Sequence, residues 1–389
     1  MMLERDAHLE RDGRVRREVR ALFRAGHDVV VLHAGPQEPP AVLTAEGGQW
    51  RSVRRHDAAE LAARMPGALR RLALWSAFVR QAVRTRPDAV HAHDVSMLAP
   101  AWLGARLARA ALVYDTHEYA RGVPYHSRLA RLWARSIQTL LVPRCAGVIA
   151  VSPQTAAQLE RDHRLRGAPT VLRNIPEVDW RHSPARVARV IALRSELSIG
   201  DAAIVLHQGS AGPDRGCEQL VGAICDLDGV HLVFLGDVEP GFAPILRRVA
   251  AVGGAQDRVH LVPSVALEVL LQHTSQADVG VCLFDPRWMN HRLTLQNKLF
   301  EYIVAGIPVV AVRETAFGAL VERFGIGATV AFGDHGELVA AIASCLRARS
   351  DPELGGRLAR AAKELTWDTE QRGLLDLYER IGRDRAHAG

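Results

Sequence analysis

A chain of 389 residues with 48% hydrophobic content is too long for one ordinary core and suits two domains. It has no uncharged apolar run of about 18 residues, and its Arg-rich start lacks the apolar core of a signal peptide, so a soluble cytoplasmic protein is expected. The net charge of +6, carried by Arg with Lys only at 298 and 363, comes without zinc or RNA-binding motifs, and the five cysteines lack CxxC spacing; nucleic-acid partners, zinc sites and disulfide frameworks are set aside.

In chain order, Arg14–Ala25 reads as the first clear helix, ended by Gly26. Apolar runs at Asp28–Leu32, Gln49–Val53, Ala89–His91, Ala111–Asp115, Gly147–Val151 and Thr170–Leu172 alternate with helical patterns. That alternation predicts a doubly wound parallel sheet, with ligands at the carboxyl ends of its strands. Two such ends are polar. AVHAHD closes on His93 and Asp94, and YDTHEY offers His117 and Glu118; an imidazole and a carboxylate there can orient or deprotonate an acceptor hydroxyl. The helical stretches Leu61–Arg84 and Arg128–Leu141 carry Arg beside Leu, Trp and Phe. Such helices can lie on an anionic membrane, or simply face a core in an Arg-rich protein, as every outer-layer helix must.

Periodicity lapses over Asn174–Gly200, which reads as an inter-domain connection. Ala203–Gln208 is then a buried strand running into Gly209–Gly216 (GSAGPDRG), with a helix beginning near Cys217. Strand, glycine loop and helix start make a phosphate cradle, to which Arg215 adds a planar cation. Strands follow at Val230–Leu235, Arg258–Val262, Asp278–Phe284, Pro308–Val312 and Ala328–Ala331. The pair Asp226 and Asp228 supplies too few oxygen ligands for a metal. In Asn297–Ala311, NKLFEYIVAGIPVVA, Leu299, Phe300, Ile303 and Val304 form an apolar helix stripe, and Gly306 and Pro308 end the helix before a buried strand. Asn297, Lys298 and Glu301 share another face near the helix start, where amides and a lysine can meet a phosphate and a carboxylate can hold ribose hydroxyls.

NKLFEYIVAGIPVVA resembles the nucleotide-sugar signature of the retaining glycosyltransferases of family 4. YDTHE resembles that family's YDxHE segment, RNIP its hinge entry, and Arg215 takes the place of its Lys before Gly. The resemblance covers most of the chain and implies a GT-B fold, α/β, with two Rossmann-like doubly wound parallel-sheet domains. The implied division is residues 1–178 for the acceptor side, 179–200 for the linker, 201–367 for nucleotide-sugar binding, and 368–389 for a helix crossing back. Three departures stand out. Leu293 occupies the place of the signature's first Glu, Ser210 that of a loop Arg, and residues 1–11 lack the family's first strand, Met1–Leu3 being too short.

The implied reaction moves a sugar from a nucleoside-diphosphate sugar to a hydroxyl on a glycan, lipid-linked glycan or small natural product, with retention. It is of hexosyltransferase type, needs no cofactor or metal, and favours UDP-sugar over GDP-sugar. His93, Arg215 and Lys298 are the implied catalytic residues. Gly209, Gly216, Arg215, Asn297, Lys298 and Glu301 would bind the donor nucleotide; His93, Asp94, His117, Glu118, Asp285 and Asn290 would meet sugar or acceptor. The expected partners are donor and acceptor, for a monomer or homodimer in the cytoplasm, with peripheral contact at the inner membrane face as a further expectation. A nucleotide-sugar epimerase of the same plan and a non-catalytic nucleotide-sugar binder are the alternatives.

Overall fold

The computed structural model describes residues 1–3, 12–33, 47–52, 67–123, 127–177 and 193–388. They form two compact units, one of Met1–Arg173 with Asp368–Gly389 and one of Asn174–Trp367.

The first unit is built on seven strands: β1 (Met2–Leu3), β2 (Val30–His33), β3 (Gln49–Ser52), β4 (Ala89–His93), β5 (Ala111–Thr116), β6 (Gly147–Ala150) and β7 (Thr170–Val171). All pair in parallel, in the order β3-β2-β1-β4-β5-β6-β7, a doubly wound sheet whose order reverses at its centre. The first strand is therefore present, which corrects the expectation of its absence. Met2 and Leu3 pair with Val31 and Leu32 on one side and with His91 and Ala92 on the other. The Met1 ammonium donates to the Ala89 carbonyl at 2.8 Å, and the Met1 carbonyl accepts from the His91 amide at 2.8 Å. Two residues suffice because longer neighbours flank them on both edges; a pattern search for runs of four or more misses them.

The helix Gly13–Arg24 starts at Asp12, whose carboxylate accepts from the amides of Arg14 and Val15, an ordinary N-cap. Of the helix expected over 61–84, Gly67–Thr85 is described and 61–66 lie outside the described residues, as does Val53. That helix crosses Asp94–Ala108 so closely that a Cβ on Gly104 would stand 2.9 Å from Ala82 Cβ. From Asp368 onward the final helix, Trp367–Ala388, belongs to this unit. The unit ends at Arg173, short of the expected 178, because Arg173 is tied to that helix. Its amide donates to Glu370 at 2.7 Å and its guanidinium at 2.5 Å, while Ile175 packs in the core of the second unit. Most of the expected linker, 178–192, lies outside the described residues.

The second unit has six parallel strands, β8 (Ala203–Gln208), β9 (Val230–Leu235), β10 (Val259–Val262), β11 (Val279–Cys282), β12 (Val309–Val312) and β13 (Gly327–Val330), in the order β10-β9-β8-β11-β12-β13. Alternate residues serve two cores. Ile204, Leu206, Val309 and Ala311 face one, and Val205, Val310 and Val312 face the other, as the two-residue period of a strand buried on both faces requires. No described helix is long and apolar enough to cross a membrane.

Candidate active site

In the second unit, polar groups gather where β8 ends and the helix Asn297–Ala305 begins. Tyr302 fixes that helix to the sheet. Its hydroxyl accepts from the Gln208 amide at 3.0 Å and donates to the Leu206 carbonyl at 3.1 Å, and its ring fills the space a Cβ on Gly280 would need, 2.5 Å away. The helix stops at Gly306, whose φ of +77° is the left-handed cap that glycine adopts without strain. Docked this way, the helix buries Lys298 and Glu301 with its apolar stripe. Asn297 is half-buried, and the preceding Gln296 makes no side-chain cap, so the N-cap residue leaves the first amides of the helix untaken.

Lys298 is 5% exposed, and its Nζ has no hydrogen-bond partner among the described residues. It lies 4.9 Å from the centre of the Phe284 ring, and the Arg215 guanidinium carbon lies 5.8 Å from the same ring. Burial, joined by the charge of Arg215, lowers the ammonium to about 8. An ammonium so placed gains from an incoming anion. Gly209, at φ +91°, backs onto it: an added Cβ would stand 3.8 Å from Lys298 Cε. Gly216, at φ +61°, leads into the helix Cys217–Cys225, and a Cβ there would press within 2.8 Å of Leu283 Cβ. Glu301 accepts from the Gln208 side-chain amide, whose orientation is set because its oxygen accepts from Thr274 Oγ1 at 2.7 Å.

The structure thus brings Gly209, Arg215, Lys298 and Glu301 together. Asp285 and Asn290 are engaged within the protein instead. Asp285 accepts from the Arg287 amide at 2.9 Å and its guanidinium at 2.6 Å; burial pushes its carboxyl up, yet these bonds hold it below the usual range. Asn290 Oδ1 accepts from Thr294 Oγ1 at 2.7 Å. His207, Gln208 and Phe284 line the same region without having been singled out from sequence. Each is a buried polar or aromatic group at a strand end, which is the one signal that could have flagged it.

In the first unit, His93 ends β4, Asp94 begins the next helix and His117 follows β5. His117 Nε2 lies 3.0 Å from Asp115 Oδ2 and 3.1 Å from His93 Nδ1, and its amide donates to Asp94 Oδ1 at 3.1 Å. Asp94 takes φ +63°, rare outside glycine. Burial alone would discharge His117, but Asp94 and Asp115 raise its imidazolium well above the ordinary range. Glu118 is exposed, and its carbonyl accepts from Thr116 Oγ1.

Beneath these residues lies a buried network that sequence reasoning missed. Arg14 forks onto Asp115 at 2.8 and 2.7 Å, reaches the Leu172 carbonyl at 2.7 Å, and stands 3.0 Å from Glu18. His91 stacks on His93 at 4.4 Å, and its Nδ1 meets the Tyr378 hydroxyl at 3.0 Å. The i, i+4 spacing of Arg14 and Glu18 and the i, i+2 spacing of the two histidines were the available clues. Potential ligand atoms of Glu18, His91, His93 and Asp115 lie within 4.8 Å of one another. A metal ion does not fit there, because the Arg14 guanidinium already sits on both carboxylates as their counter-charge.

Residues 14–175 match the family described as Glycosyltransferase Family 4, and residues 203–348 match the family described as Glycosyl transferases group 1. No curated protein matches by sequence. Among solved structures, Anabaena HepE in complex with UDP-glucose is 18% identical, with 98% of each chain covered and a TM-score of 0.75. Sucrose-phosphate synthase from Thermosynechococcus elongatus is 19% identical over 98% of each chain, at 0.74. WaaG, a glycosyltransferase involved in lipopolysaccharide biosynthesis, is 13% identical over 97% of this chain and 98% of its own, at 0.66. With these two domains in tandem on two parallel-sheet units, the chain belongs to the GT-B glycosyltransferases of the Family 4 and group 1 type.

Proposed function

We propose that the protein moves a hexose from a UDP-sugar to an acceptor hydroxyl, with retained anomeric configuration and without a metal ion. The observation that carries this reading is the buried Nζ of Lys298 beside Arg215, without a hydrogen-bond partner among the described residues. In the reaction the bond from the anomeric carbon to the diphosphate breaks, the acceptor oxygen bonds to that carbon, and UDP leaves with the proton the hydroxyl gives up. Negative charge therefore builds on the diphosphate. Lys298, Arg215 and the first amides of the helix Asn297–Ala305 stabilise it, an electrostatic contribution present before the reaction begins.

Glu301, oriented by Gln208, takes the paired ribose hydroxyls, and Asn297 and the Gly209 and Gly216 turns let the nucleotide approach. His93, set by His117 and Asp115, contacts the sugar, and Asp94 with His117 orients the acceptor hydroxyl. HepE, of like fold, has been solved with UDP-glucose and with UDP and glucose, which supports a uridine nucleotide as donor. The proposed setting is the cytoplasm, as monomer or homodimer, with any membrane contact peripheral.

A thermal-shift screen of UDP, GDP, ADP and dTDP, followed by UDP release from UDP-glucose over an acceptor panel in EDTA, tests this. Stabilisation should be greatest with UDP, since a ligand that binds only the folded state raises its melting temperature. Release should require an acceptor, and NMR of the product should show the donor's anomeric configuration. Failure of every nucleoside diphosphate to stabilise the protein sinks the reading. Conversion of the UDP-sugar without acceptor would make it an epimerase, and binding without turnover a sugar-nucleotide binder.

A further inference from the structure

The first unit holds a cavity of about 550 Å³ whose lining includes Arg71, Leu74, Trp75, Asp94, Leu129 and Trp133. The lining includes Asp94, whose carboxylate accepts from the His117 amide. The cavity walls are mostly apolar and aromatic, with Arg71, Ser96 and Ser127 as further polar groups. The Trp75 and Trp133 rings stack with centroids 6.0 Å apart at 29°, one from each of the helices Gly67–Thr85 and Arg128–Leu141.

Each helix has a fully buried inner side, Phe78 and Ala82 on the first and Ala134, Gln138 and Leu141 on the second; Leu74 and Trp133 pack in part against those cores and, like Trp75, stay only half-buried. Leu129 of that lining is 79% exposed, and the same two helices also expose Leu72 at 58% and Leu132 at 60%. Apolar groups in that number on two solvent-facing helices mark a surface kept for a ligand. The volume falls within the roughly 300–1,000 Å³ of small-molecule sites.

We propose that this cavity seats the apolar body of the acceptor, which is thus an alcohol bearing a hydrocarbon or aryl portion, with its hydroxyl at Asp94 and any anionic group beside Arg71. The inference rests on the transfer reaction proposed above. Such an acceptor can come as a free amphiphile or as a hydrocarbon held in a bilayer.

Titrating n-alkyl β-D-glucosides from hexyl to nonyl, below their micelle concentrations, into the full chain saturated with UDP separates the possibilities by calorimetry. Affinity should rise roughly three- to fourfold per methylene, as expected for burying each CH₂. Trp133→Ala should flatten that series, and Trp133→Phe should keep most of it; UDP affinity serves as the folding control in both. A second arm presents the same glucosides in phosphatidylcholine vesicles. A Trp133-dependent series in free solution supports a soluble amphiphile, and one seen only with vesicles supports a bilayer-held hydrocarbon. A flat series in parent protein that binds UDP, or a slope untouched by Trp133→Ala and Trp75→Ala, overturns the cavity assignment alone. Loss of UDP binding in the parent would instead strike the donor reading.

Discussion

Lys298→Met separates two effects of one buried ammonium that carry opposite signs. In the folded protein the group falls from 10.5 to about 8, chiefly through burial. At 1.36 kcal/mol per unit, the charged form therefore costs the free protein about 3 kcal/mol. Because the folded value lies below the unfolded one, that cost stands in full below pH 8, where both states are protonated. It fades between about 8 and 10.5 as the folded state sheds its proton first. Methionine keeps the apolar stem and removes the charge, losing only the contact with Phe284, worth roughly 1–2 kcal/mol. At pH 7 the variant should melt at the parent's temperature or a few degrees higher.

The effect on the reaction runs the other way. Two unit charges 4 Å apart at an effective dielectric of 20 attract by about 4 kcal/mol, and removing one donor to a developing oxyanion costs about 10²–10³ in rate. UDP release from UDP-glucose should fall by that factor while scanning calorimetry shows no loss of stability. Parent affinity for UDP should also weaken above about pH 8, where the free protein's ammonium deprotonates, and this pH dependence should vanish in the Met variant. A melting temperature lowered by several degrees would make Lys298 a structural cation, and turnover within threefold of the parent would remove it from the chemistry; either result refutes the reasoning.

Glu301→Ala should raise the dissociation constant for UDP by roughly 10- to 100-fold, the worth of hydrogen bonds to a charged group. Calorimetry with UDP and 2′-deoxy-UDP checks the cause, since the two should differ in the parent and converge in the variant. Asp115→Asn leaves Arg14 and Glu18 without the carboxylate that binds their group together and should destabilise by about 3–5 kcal/mol, read by urea unfolding. Gly216→Ala must hold φ +61° and push Leu283 aside; a loss of about 1–3 kcal/mol is expected, with weaker UDP binding. Dialysis against EDTA should leave turnover unchanged, and a chelator-sensitive rate restored by one divalent ion would contradict the metal-free reaction.

The central strands were legible because they are buried on both faces, so Ala203–Gln208 or Pro308–Val312 announces itself as a β-branched run. The helix Asn297–Ala305 was legible for the opposite reason, its apolar stripe and its polar start occupying different faces. Met2–Leu3 was not, because a two-residue strand has no period to detect and owes its existence to partners about thirty and ninety positions away. Arg14 and Asp115 were missed for a related reason. Their partnership spans 101 positions, and in sequence each looks like one more surface charge. Asp285 came under suspicion because Leu293 leaves the signature's first carboxylate unfilled, and what spacing could not show is that Arg287, two residues on, pairs with the Asp285 carboxylate.

These two buried cations divide the labour between structure and chemistry. Arg14 is satisfied three times over, by Asp115, by Glu18 and by the Leu172 carbonyl, so its charge is spent inside the first unit and what it does is hold Asp115 where His93 and His117 can lean on it. Lys298 has a ring face, a neighbouring arginine that repels it, and no hydrogen-bond acceptor among the described residues. Both are buried to a similar degree, at 1% and 5% exposure, so burial alone does not mark a functional cation. What separates them is whether folding has already supplied the counter-charge, and by that criterion the end of β8 is where an anion from outside gains most.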